Sequence, residues 1–106
     1  MSTETTKKTE KKTGVQAASE NEIVKIGQKP AINYILATVT LFSQGVKVVT
    51  LKARGKSIST AVSVEESVKR RMALEEPEVK LGTEEIFDDK IKRTFRVSTI
   101  DIILKR

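Results

Sequence analysis

From Pro30 to Val46 the chain carries no charged side chain, although charged residues make up 32% of the whole. A stretch so apolar in so charged a chain must be covered, which places the core. Pro30 suits the first position of a helix, where its missing N–H has no partner to lose. Ile32, Ile35, Leu36, Val39 and Phe42 recur at helical spacing, and Gly45 ends the run as a glycine just past a helix does. Leu41 and Tyr34 widen the apolar surface, so burial on more than one side is expected, in a core or against a partner chain. The stretch is shorter than the ~20 apolar residues a membrane span needs, and Asn33, Thr38, Thr40, Ser43 and Gln44 interrupt it.

The flanking segments read as strands and one more helix. Glu22 to Ile26 is a short first strand. Val46 to Ala53 is a second, with Val49, Leu51 and Ala53 on one face and Val48, Thr50 and Lys52 on the other. A second helix is expected from Ser57 to Met72, burying Ile58, Ala61, Val62, Val68 and Met72. The capping-box pattern Ser63 to Glu66 is an alternative start within it, and Pro77 closes the helical region. Val79 to Phe87 and Ile91 to Leu104 form a hairpin about Asp88-Asp89-Lys90. Phe95 and Val97 share one parity in its last strand, Ile100, Ile102 and Leu104 the other. Either a bulge near Ser98-Thr99 or an outer half that leaves the sheet as an arm accounts for the change. The expected fold is an α/β, βαβαββ two-layer sandwich: a four-stranded mixed sheet, two helices and an extended C-terminal hairpin arm.

Residues 1–21 are nearly all Thr, Ser, Lys, Glu, Ala and Gln, too polar to bury a core, and are expected to form a disordered tail before a domain spanning 22–106. The tail's charges nearly cancel, so five of the six net positive charges belong to the domain. Such a balance favours nucleic acid, an anionic surface or an acidic protein as partner. The chain has neither cysteine nor histidine, which removes thiolate chemistry, zinc–sulfur sites and the commonest general base near neutral pH. The start has no apolar core of signal-peptide length. A protein of the cell interior, with no membrane partner, no cofactor and no metal, is the reading that follows.

If the first two strands are parallel, both strand-to-helix loops leave the sheet at one edge. Gly27-Gln28-Lys29 and Arg54-Gly55-Lys56 would then be neighbours, each opening a helix whose free N–H groups favour an anion. Lys29, Arg54 and Lys56 supply charge there. Gly55-Lys56-Ser57 resembles the end of a nucleotide-binding P-loop, but Thr50 stands where that pattern requires its first glycine. The hairpin carries Lys90, Lys92, Arg93 and Arg96 around Phe95. This basic ribbon suits phosphate contacts, although an edge strand charged against aggregation would look similar. Lys69, Arg70 and Arg71 complement a helix dipole, and the pairs Glu65-Glu66 and Glu75-Glu76 read as solvated faces.

At these residues the chain resembles the Alba family of small basic chromatin proteins, best known from archaea. The resemblance runs from Glu22 to Arg106. It rests on Gly27-Gln28-Lys29-Pro30 followed by Asn33-Tyr34-Ile35-Leu36, on the run from Lys52 to Val62, and on Arg96 to Ile100. It implies the βαβαββ fold and a non-enzymatic homodimer that binds double-stranded DNA and RNA with little sequence preference. Such a protein coats or compacts the chromosome in the cytoplasm, as a nucleoid-associated protein does. By position, Gln28, Lys29, Arg54, Gly55 and Lys56 would form a central platform, and Lys92, Arg93 and Arg96 would lie on arms along the minor groove. Dimers of the family also line up on DNA through an aromatic position at the end of the second helix. Here that position holds Met72, which implies weaker dimer–dimer packing. Gln28 stands where the family often has lysine, so control by acetylation there is lost while Lys29 remains a modification target. A heterodimer with a paralogue stays open. So does a dedicated RNA-binding role on structured RNA or in a ribonucleoprotein.

Overall fold

The computed structural model describes residues 20–106. The tail expected over 1–21 therefore lies almost wholly outside the described residues, and Asn21 already belongs to the first strand. The elements run β1 (Asn21–Lys25), α1 (Ala31–Ser43), β2 (Val48–Arg54), a single 3-10 turn (Gly55–Ser57), α2 (Ile58–Arg71), β3 (Glu78–Asp88) and β4 (Arg93–Lys105). One sheet has the order β1-β2-β4-β3, parallel between β1 and β2 and antiparallel elsewhere. The βαβαββ mixed-sheet sandwich expected from the sequence is the fold observed.

The core forms where strand alternation meets the helical stripes. Val49, Leu51 and Ala53 of β2 lie directly opposite Leu104, Ile102 and Ile100 of β4, and all six are buried. Ile35 and Phe42 of α1 cover them together with Ala61, Val64 and Val68 of α2. Beyond α1, Gly45 takes φ +102°. Its N–H bonds the carbonyl of Phe42, and the N–H of Val46 bonds that of Leu41, the paired closure a left-handed residue permits. Val46 is consequently a buried loop residue rather than the first residue of β2. Arg106 donates from its guanidinium to the Phe42 carbonyl (2.9 Å), placing a cation at the negative end of α1. Among the described residues no helix is long and apolar enough to cross a membrane.

Several expectations change. Ile32 and Leu36 are half-exposed, because the sheet and α2 cover only the Ile35–Phe42 side of α1. Helix α2 runs unbroken, with no restart at Ser63. It buries Ala61, Val64, Glu65 and Val68, leaving Val62 on the flank. It stops at Arg71, six residues before Pro77, as Met72 turns extended. The β3–β4 register is continuous from Glu78↔Ile103 to Asp88↔Arg93, so β4 has no bulge. Its parity changes because β2 pairs only with Thr99–Lys105, whereas 93–98 pair with β3 alone and leave the core as an arm. The turn closing that arm spans 89–92, so Ile91 and Lys92 belong to it rather than to the strand.

Glu65 is 8% exposed, and burial raises its carboxyl above the ordinary value of 4.5, with Lys69 at 3.5 Å partly opposing the shift. The folded state thus holds this proton more tightly than the unfolded state. Stability contributed here is full below about pH 4.5 and falls as pH rises through the folded value. Glu65→Gln should therefore raise Tm at pH 7 and lose that advantage towards pH 4.5, which thermal melts at the two pH values will measure.

Candidate nucleic-acid interface

Because β1 and β2 are parallel neighbours, the loops that follow them emerge together at one sheet edge. The Ser57 hydroxyl donates to the Gly27 carbonyl (3.1 Å), so the two loops are in direct contact. The first loop is also fastened to its own helix. The Tyr34 hydroxyl oxygen accepts from the N–H of Gly27 (2.9 Å) and of Lys29 (3.2 Å). A side chain on Gly27 would meet that hydroxyl at 3.3 Å, a tight contact that would push the tyrosine back by a few tenths of an ångström. In the second loop Gly55 takes φ +56°, a conformation costing other residues about 1–2 kcal/mol.

Gln28, Lys29 and Lys56 are exposed beside this junction, and neither lysine has an ion pair among the described residues. Arg54 differs. Its guanidinium holds the Glu84 carboxylate of β3 at 2.6 Å, tying the loop edge to the root of the arm. Both side chains are more than half exposed, so the pair is open to exchange with another anion. Below it, Lys52 pairs with Asp101 (3.1 Å) on the sheet face opposite the helices.

The arm carries the rest of the charge. Lys90, Lys92, Arg93 and Arg96 are all exposed on it, Arg96 next to Val97, which lies against Gly55 of the second loop. Arg96 lies 3.8 Å from Glu85, and Lys92, at φ 57°, lies 4.0 Å from Asp89. These are loose, solvated pairs, and Arg93 has none among the described residues. Met72 sits just past α2, half-buried against the core rather than projecting from it. Lys69 is held within α2 by Glu65 and Glu66, as a structural cation. Among the described residues no three acidic side chains converge as a metal site would require.

Sequence reasoning missed the fastenings Tyr34 and Ser57 and the counter-ion Glu84. Tyr34 was readable as a polar tip inside the apolar stretch, since a half-buried tyrosine hydroxyl needs a partner. Tyr34→Phe keeps the ring and removes both bonds. It should cost about 1 kcal/mol of stability, read from denaturant midpoints.

The fold and its edge define a small α/β protein that displays cationic loops beside a projecting basic ribbon. The chain belongs to the Alba family, whose model matches residues 22–86. It is 43% identical to the "DNA/RNA-binding protein Alba" of Methanocella arvoryzae over 82% of this chain and 92% of that one. That relative is named for binding, not for catalysis. Among solved structures, Alba from Thermoplasma volcanium superimposes with a TM-score of 0.73 at 37% identity, covering 79% of this chain and 99% of that one. ALBA1 from Trypanosoma brucei does so at 0.60 and 25% identity, over 79% and 68%.

Proposed function

We propose that this protein is an architectural binder of double-stranded DNA and RNA with little sequence preference, working as a dimer on the chromosome in the cytoplasm. The observation that carries the reading is the loop junction. Ser57 bonded to Gly27 holds Lys29 and Lys56 near one edge, each ahead of a helix N-terminus, whose dipole favours phosphate. Arg54 joins them by exchanging Glu84 for a phosphate oxygen. In a dimer two such edges would form one platform, and the arms would follow the minor groove through Lys92, Arg93 and Arg96. The name of the Methanocella relative agrees with this reading. Gln28 adds a hydrogen-bond donor without charge, leaving Lys29 as the lysine of that loop open to modification. Met72, half-buried, offers little to a dimer–dimer contact.

Competition between a random-sequence DNA duplex and a matched RNA duplex at one salt concentration tests the reading. Micromolar or tighter binding to both supports it. Binding to RNA alone would favour the dedicated RNA role, and binding to neither would remove the proposal. Glu84→Gln frees Arg54 from its counter-ion and should tighten binding about fivefold, near 1 kcal/mol, in the same assay.

A further inference from the structure

The chain has three phenylalanines and one tyrosine, and two of those four aromatic residues lie on the arm in contact with solvent. Phe87 is 57% exposed, Ile91 at the turn 51% and Phe95 43%. Phe87 pairs with Thr94 and Phe95 with Ile86, so the two rings lie on opposite faces of the ribbon, with Ile91 at its end. A single exposed apolar residue needs no explanation, but a projecting tip apolar on both faces does. Three features bear on what covers it. The cluster lies beyond the part of the sheet that the helices cover, since 93–98 pair with β3 alone. Its immediate neighbours are Asp88 and Asp89, the latter 4.0 Å from Lys92, and the cations Lys90, Lys92 and Arg93, whose excess of one positive charge suits an anionic occupant. The turn is also braced, because the Lys90 N–H bonds the Asp88 carboxylate at 2.9 Å. An apolar tip of net positive charge on a braced turn suits nucleic acid, whose phosphates flank a stack of flat apolar bases.

We infer that Phe87 and Ile91 form a wedge that enters a base step of a bound duplex from the minor groove, partly unstacking it while Lys92 and Arg93 hold the flanking phosphates. The paired Ile86 and Phe95 stiffen the ribbon behind the wedge. Resting on the duplex-binding reading above, this adds that the protein deforms what it binds and favours steps that unstack easily, such as pyrimidine–purine steps.

The test uses the full chain and duplexes of random sequence carrying 2-aminopurine, a base whose fluorescence rises on unstacking, at one step at a time. The expected result is a rise at some steps, greatest at pyrimidine–purine steps, together with a shorter end-to-end distance by energy transfer. Phe87→Ser with Ile91→Ser should abolish both signals and weaken binding about fivefold or more. Its salt dependence should be unchanged, since no charge is removed. Phe87→Tyr should retain the signals. Tight binding with flat fluorescence and an unbent duplex would overturn the wedge while leaving duplex binding intact; no binding at all would overturn both. A double variant that changes the self-association of nucleic-acid-free protein, with fluorescence as in wild type, would reassign the tip to a protein contact and overturn the wedge too.

Discussion

Replacing Lys29, Arg54 and Lys56 together by alanine should weaken duplex binding on the order of a hundredfold at moderate salt, from about 1 kcal/mol for each phosphate interaction removed. Fold stability should change little, because all three side chains are exposed and the Arg54–Glu84 pair is itself solvated. The single variants should not be equal. Lys29 and Lys56 have no ion pair to break among the described residues, so each alanine variant forfeits a full phosphate interaction. Arg54 must first release Glu84, 2.6 Å away, and part of its contribution is already offset. Yet Arg54→Ala also leaves Glu84 as an uncompensated negative charge beside the loop junction. A double-mutant cycle of Arg54→Ala with Glu84→Ala separates the two effects. Fluorescence anisotropy with a labelled duplex, alongside a denaturant titration of each variant, measures both quantities.

The second large effect belongs to the core. Phe42 is 1% exposed and lies in the last turn of α1, where its carbonyl also accepts Arg106. Phe42→Ala should cost about 3–5 kcal/mol through reduced burial and the cavity left behind. Against the roughly 5–15 kcal/mol typical of a domain, that is enough to lower Tm steeply or unfold the protein at 37 °C. The consequence for binding is indirect but specific. α1 carries Tyr34, and Tyr34 holds Gly27 and Lys29, so loosening the helix loosens the corner. A Phe42→Leu variant, losing less volume, should bind normally at 10 °C and weaken early on warming.

Most of the fold was legible because its signals are local. The Val49–Leu51–Ala53 alternation, Pro30 at the head of a helix and Gly45 after one each have a single good physical reading. Each element formed there, with Pro30 one residue ahead of α1 and β2 beginning at Val48 rather than Val46. The misses have a common cause. Val62 and Val64 are equally apolar but lie on opposite sides of α2, and only the side turned to the sheet, set by tertiary packing, decides which is buried. The parity change in β4 admitted a bulge or a departing arm, and the length of β2, which pairs only as far as Thr99, selected the arm. At the candidate site the residue types were visible but their pairings were not. Arg54 and Glu84 are thirty positions apart, and nothing local announces a bond between them.

The central claim is that two loops brought together by parallel strands meet phosphate through Lys29 and Lys56. Equilibrium binding to one random-sequence DNA duplex across a salt series, for wild type and for Lys29→Ala/Lys56→Ala, tests it most directly. Each phosphate contact contributes about 0.9 to the slope of log K against log salt, so the double variant should be shallower by up to about 1.8 per chain. Parallel lines of equal slope, whatever their separation, would mean that neither lysine meets a phosphate and that the junction serves the fold alone.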